Sequence, residues 1–167
     1  NSKAPDFKAK DQQGNDVRLK DLLKKNRVVL VFYQGEWSPY CNKYLQKLED
    51  SLQLIKDKGA IVVAVTPEQP ESIAKTIEKT RAEYLILHDS ELKIMKGYEV
   101  EFEVSENALK RYRNGGIKLD EVNGKNGNFL PVPATYIIDK EGYITYRFFN
   151  QDNKKRPSVK EILANLK

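Results

Sequence analysis

The 167 residues predict an α/β fold: a central mixed sheet with helices on both faces and a hairpin at its N-terminal end. Three patterns lead there. Runs rich in β-branched and aromatic residues at 28–33 (Val-Val-Leu-Val-Phe-Tyr) and 60–65 (Ala-Ile-Val-Val-Ala-Val) are continuously apolar, as strands buried on both faces must be. Between such runs, apolar residues recur at helical spacing, as in Tyr44, Leu45, Leu48, Leu52 and Ile55. The strand–helix alternation then predicts a parallel core. The length suits one domain spanning 1–167 with a sizeable core.

In chain order, Gly14-Asn15 marks a turn, 16–19 a short strand and 19–25 a helical element; together they read as a flap over the sheet. The 28–33 strand turns through Gln34-Gly35-Glu36 into a helix that starts near Cys41 and stops at Lys58-Gly59, with glycine as the C-terminal stop. Thr66-Pro67 breaks the 60–65 strand. A polar helix follows to Lys79, turning Ile73, Ala74 and Ile77 inward, and then a short strand at 84–87. His88-Asp89-Ser90 leads into a helix over 91–96, with Asp89 or Ser90 as its cap. The stretch at about 104–130 is an irregular insertion rich in Asn-Gly turns, with a short helix at 105–112; it reads as an ordered structural insertion or as a lid over the cysteine. A hairpin closes the sheet, with strands at 134–139 and 143–149 around Lys140-Glu141-Gly142. In the tail, Ser158 and Glu161 form a capping box for a helix whose apolar face is Val159, Ile162, Leu163 and Leu166.

Composition excludes several classes of function. The net charge of +5 comes from interleaved Lys and Glu, the pattern of solvated helix faces, so no nucleic-acid footprint is predicted. No apolar run approaches the ~20 residues of a membrane span. One histidine and one cysteine fall short of a metal-ligand set, and no glycine-rich loop carries the Lys-Ser/Thr of a phosphate site, so neither metal nor cofactor is expected. No signal peptide is visible at Asn1 and no Met precedes it, which leaves the cytoplasm or, with a trimmed N-terminal signal, the periplasm.

The chemistry concentrates on Cys41. It is the only cysteine, and it stands where a strand ends and a helix begins. The first turn of a helix offers unpaired N–H groups and the positive end of the macrodipole, and both favour the thiolate, the nucleophilic form. With no second cysteine, any resolving thiol comes from another molecule.

The run Val31-Phe32-Tyr33-Gln34-Gly35-Glu36-Trp37-Ser38-Pro39-Tyr40-Cys41 resembles the peroxiredoxin-like branch of the alkyl hydroperoxide reductase / thiol-specific antioxidant (AhpC/TSA) family, within the thioredoxin-like superfamily. The opening Ala4-Pro5-Asp6-Phe7, the segment Val132-Pro133-Ala134-Thr135-Tyr136 and the Asp152…Arg156 run extend the likeness over nearly the whole chain. The resemblance implies a thioredoxin-like fold and a thiol-dependent antioxidant activity in which Cys41 attacks a hydroperoxide. It sets Ser38 on the Thr/Ser position of that site, Trp37, Tyr40, Val132 and Pro133 beside the substrate, and Pro133 on a cis proline. Arg147 and Arg156 are the arginines available to steady the thiolate. The expected partners are a hydroperoxide or a protein or small-molecule thiol-disulfide substrate, and an external thiol reductant; a homodimer is left open. Three departures stand out: Gln34 replaces the family's proline, Glu36 a glycine, and Pro133 occupies the place of the arginine that activates peroxide in true peroxiredoxins. Two alternatives remain. One is a thiol-disulfide oxidoreductase whose Cys-Pro-Tyr-Cys pair is present here as Ser38-Pro39-Tyr40-Cys41; the other is a redox-inactive thioredoxin-fold binding module.

Overall fold

The computed structural model describes residues 2–150, 152 and 155–167. The elements run β1 (Lys8–Lys10), β2 (Asp16–Arg18), α1 (Leu19–Leu22), β3 (Arg27–Phe32), α2 (Pro39–Asp50), α3 (Leu52–Asp57), β4 (Ala60–Thr66), α4 (Pro70–Thr80), β5 (Leu85–His88) and α5 (Lys93–Gly97). They continue with β6 (Glu101–Glu103), α6 (Glu106–Asn114), α7 (Leu119–Val122), β7 (Phe129–Pro131), β8 (Ala134–Ile138), β9 (Ile144–Phe149) and α8 (Val159–Ala164).

The main sheet has the order β2-β1-β5-β4-β3-β8-β9. Strand β3 is hydrogen-bonded along both edges, parallel to β4 and antiparallel to β8. Its side chains alternate between two faces, as the pleat dictates. Val28, Leu30 and Phe32 join one core with Leu19, Met95, Tyr98 and Tyr136. Val29, Val31 and Tyr33 join the other with Cys41, Leu45, Leu48, Ile55 and Ile162. The continuous apolar run was therefore needed: a polar residue at any of these positions would be buried on one face or the other. The fold is the mixed α/β arrangement the pattern predicts and the thioredoxin-like one the resemblance implies, with β8 and β9 at one edge and β1 and β2 at the other supplying the antiparallel pairs.

Two expectations change. The N-terminal hairpin is not a flap over the sheet: β1 pairs antiparallel with β5, so β1 and β2 extend the sheet edge, while Leu19 and Leu23 cover one face. The long helix from Cys41 to Lys58 is two helices, broken at Ser51, which lies outside helical geometry at φ −107°, ψ 10°. The region at 104–130, read as an ordered insertion or a lid, has structure of its own. Helices α6 and α7 gather Val104, Leu119 and Leu130 into a third small core, and Trp37, Ala108, Leu109 and Tyr112 pack against it. Ser158 accepts from the Glu161 N–H as expected, but the Glu161 carboxylate takes the Tyr146 hydroxyl instead of completing the capping box. The helix expected over 91–96 starts at Lys93, since Glu91 and Leu92 have positive φ, and both carboxylate oxygens of Asp89 accept from Ile94 and Met95. Ser105 caps α6 by accepting from the Ala108 N–H. Among the described residues no helix is long and apolar enough to cross a membrane.

Helix α2 holds the sheet through Leu45, which is fully buried, whereas Leu54 on α3 is 54% exposed. Replacing Leu45 by Ala is expected to lower stability by about 2–5 kcal/mol, the usual range for a buried Leu→Ala change. Leu54→Ala is expected to stay within about 0.5 kcal/mol. Urea denaturation of both variants checks the contrast.

Candidate active site

The site is built where β3 runs out. The chain leaves the sheet at Tyr33, passes Gln34 and Gly35, and enters α2 with Pro39 in its first turn. Proline suits that position, since its missing N–H would have had no helical partner. Ser38 is the N-cap: its Oγ accepts from the Cys41 N–H at 3.3 Å. Serine at this place thus has a structural task that a thiol performs poorly. Having accepted that bond, the Ser38 hydroxyl keeps its own hydrogen for donation.

Cys41 is a free cysteine, 1% exposed, in the first turn of α2. Arg156, from the segment just before α8, brings its Nη2 to 3.6 Å from Cys41 Sγ. The same guanidinium lies over the Tyr44 ring, 5.8 Å from its centroid. An aromatic face beneath a guanidinium restrains its plane and adds a weak cation–π attraction. The sulfur therefore meets two positive influences, the start of α2 and Arg156. The hydroxyl of Tyr44 faces Thr135 of β8, and burial pushes its pKa up to about 12, so it stays protonated under ordinary conditions.

The structure does not bring Arg147 to the sulfur. It pairs across the sheet with Tyr136, and its Cζ sits 5.6 Å from that ring. Tyr136 belongs to the core on the opposite face from Cys41. Trp37 is half-buried and rests on Tyr112, with ring centroids 5.1 Å apart. Tyr40 is 45% exposed and lines an open groove of about 690 Å³ with Tyr44, Lys43, Lys47, Asp50 and Arg156. Cys41 itself does not line that groove; Arg156, which does, links it to the sulfur.

Val132 and Pro133 lead into β8, next to the end of β3. Ala134 pairs with Phe32, and Gln34 Nε2 donates to Pro131 O at 3.2 Å, so this segment does border the loop before Cys41. No peptide bond among the described residues is cis, which corrects the expected cis Pro133. The Val132 N–H also donates to Val100 O at 2.7 Å, so it is committed within the chain rather than presented to an extended ligand.

Sequence reasoning missed two contributors. Tyr112 of α6 packs against Trp37 with the ring planes tilted by 58°, and its pKa is raised, first by burial, with the nearby Cys41 adding to the rise. Nothing marks Tyr112 among nine tyrosines until α6 is folded back. Glu68, in the loop after β4, is fully buried, and its Oε1 accepts from the Glu36 N–H at 3.0 Å. The His88 ring meets the Glu68 carbonyl, with Nδ1 2.6 Å away, so His88 braces this loop.

Comparison with known proteins follows the same line. The chain is 29% identical over 165 residues to Peroxiredoxin Bcp of Bacillus subtilis, covering 99% of this chain and 92% of that one. It is 29% identical over 147 residues to the chloroplastic Peroxiredoxin Q of Gentiana triflora, covering 88% of this chain and 57% of that protein. The crystal structure of peroxidoxin BcpB from Mycobacterium tuberculosis superposes with a TM-score of 0.76 at 22% identity, over 99% of this chain and 94% of the other. A yeast mitochondrial 1-Cys peroxiredoxin gives 0.73 at 17% identity, over 98% and 72%. The AhpC/TSA family model matches residues 1–147. A match of that span decides the lineage, and the chain belongs to the AhpC/TSA family.

Proposed function

We propose that residues 1–167 form one catalytic domain that reduces hydroperoxides through Cys41. The observation that carries this reading is the 3.6 Å approach of Arg156 to a cysteine sulfur at the capped start of α2. The names of the relatives, peroxiredoxins Bcp and Q, support a peroxidase over a disulfide exchanger. The cap formed by Ser38 supports placing that residue in the Thr/Ser role of the peroxide site.

The Cys41 thiolate attacks the terminal oxygen of RO–OH. The S–O bond forms as the O–O bond breaks, leaving Cys41 as the sulfenic acid and releasing RO⁻, which takes up a proton. Arg156 stabilises the thiolate and, at the same position, the negative charge that moves onto the leaving oxygen. Ser38 donates toward the attacked oxygen, and Trp37 and Tyr40 flank the approach, with Val132 and Pro133 behind the loop. Arg156 does for this chain what the missing arginine at position 133 does elsewhere in the family. An external thiol then attacks the sulfenic sulfur, releasing water and forming a mixed disulfide, and a second thiol frees Cys41. The groove beside Arg156, with Lys43 and Lys47 on its wall, is the route by which that thiol enters.

Intact mass after stoichiometric hydrogen peroxide, with a sulfenic-acid trap, tests the reading. One trapped adduct at Cys41, formed faster than on free cysteine, is expected; oxidation no faster than free cysteine contradicts it. Arg156→Ala is expected to slow peroxide reduction by about 10²-fold, in line with removing a preorganised charge at a reacting centre. Arg147→Ala is expected to leave the rate unchanged, and stopped-flow kinetics of the two variants checks the pair.

A further inference from the structure

A buried carboxyl lies behind the Cys41 loop, and the peroxidase chemistry above makes no use of it. Glu68 is 0% exposed. One of its oxygens is spoken for: Oε1 accepts the Glu36 N–H at 3.0 Å. The other, Oε2, has no hydrogen-bond partner among the described residues, and neither has Trp37 Nε1. Both atoms crowd the same point of the loop. A Cβ built on Gly35 would collide with Trp37 Nε1 and with Glu68 Oε2, so glycine is required here for space rather than for backbone freedom.

Among the described residues, charged and titratable groups lie around Glu68 on the loop, α4, the end of β3 and β5. From the loop itself comes Glu36, whose carboxylate is taken by Lys79 at 2.7 Å. From α4 come Lys75 and Lys79, which act on Glu68 only at a distance. Tyr33, just past the end of β3, lies close enough that the Glu68 charge weighs on its buried hydroxyl. His88 meets the Glu68 main chain, not its side chain. No cation forms an ion pair with Glu68 among the described residues.

The Gly35–Ser38 turn, closed by the Ser38 N–H to Gly35 O bond at 3.2 Å, is what the carboxyl touches. Its outer side is tied to α2 and α4 by Asn42 and Lys79, both reaching Glu36. Its inner side is held by Glu68. We propose that Glu68 is the positioning residue of this turn: uncharged, its carboxyl lets Gly35 and Trp37 pack over Oε2 and so holds residues 35–38 and the Ser38 cap on Cys41 in place, and on ionising it keeps the Glu36 N–H but admits water at Oε2 and loosens that packing. A carboxylate without a buried counter-ion keeps the Glu36 N–H bond and draws in water for the rest of its solvation, and Oε2, covered by Gly35 and Trp37 of the turn, is where that water enters. Burial, with the Glu36 carboxylate adding to it, pushes the Glu68 pKa up to about 8, against the pull of the Glu36 N–H and the two lysines. The clamp is therefore closed near neutrality and opens in mild alkali.

The inference goes beyond the peroxidase reading and does not need it. Trp37 is the only tryptophan, so its fluorescence reports this turn directly. The test titrates Trp37 emission and its quenching by acrylamide from pH 6 to 10 in the Cys41→Ser protein, where no thiol titrates. A transition centred near pH 8, with quenching rising on the alkaline side, is expected. The same titration in Cys41→Ser/Glu68→Gln is expected to lose it. Tyr112, packed against Trp37, ionises only at higher pH because burial raises its pKa, so it does not mimic the signal. Absence of the transition in Cys41→Ser, or its survival in Cys41→Ser/Glu68→Gln, overturns the proposal. Should the double variant fail to fold, Lys75→Gln decides: loss of this exposed cation is expected to move the midpoint upward, and an unmoved midpoint overturns the proposal.

Discussion

Strand β3 is bonded on both edges and packed on both faces, and the position of the sulfur depends on that confinement. Residues 28–32 have no freedom to shift register, because a slip of one residue would exchange the two cores. The end of β3 is thus a fixed point, and α2 is seated on it by Tyr44, Leu45 and Leu48. Cys41 inherits its place from these two elements. The short connection between them does the rest: Ser38 caps the helix on the Cys41 N–H, and Gly35 lets the turn lie flat against Trp37 and Glu68.

Around that fixed point the electrostatics are divided between two sides. On the groove side, the helix start and Arg156 offer positive charge to the sulfur. On the inner side, Glu68 would place negative charge behind the same loop if it ionised, and burial opposes that. Lys79 neutralises Glu36 from outside and leaves Glu68 to be kept uncharged by its surroundings. A site that attacks with an anion gains from having no second anion beneath it, so the buried acid and the half-buried arginine act in the same direction.

Much of this was legible in the residue pattern, and the physical reasons differ where it was not. The continuous apolar runs identified β3 and β4 because strands buried on both faces admit no polar residue. The placement of Cys41 at a strand–helix junction was legible because the apolar run ends and the helical spacing begins on either side of it. The choice between Arg147 and Arg156 was not. It turns on sheet parity, since Tyr146 faces the Cys41 core and its neighbour Arg147 the other, and parity follows from a register that includes an irregularity at Ile137/Ile138. Pro133 was expected to be cis because its neighbours match a family motif, but here the chain enters β8 from β7 with Val132 already bonded to Val100. Glu68 stands between Pro67 and Pro70, where the residue pattern singles out no side chain. Only the return of the Gly35–Ser38 turn over it makes its burial visible.

The central claim is that one thiol per chain takes oxygen from a hydroperoxide and depends on an outside thiol to turn over. The measurement that tests it most directly is peroxide consumption by the reduced protein, first alone and then with a small-molecule thiol added. The account predicts that the protein alone consumes one peroxide per chain and then stops, and that added thiol restores steady consumption, with Cys41→Ser consuming none. No stoichiometric consumption without thiol, or equal consumption by Cys41→Ser, would contradict it.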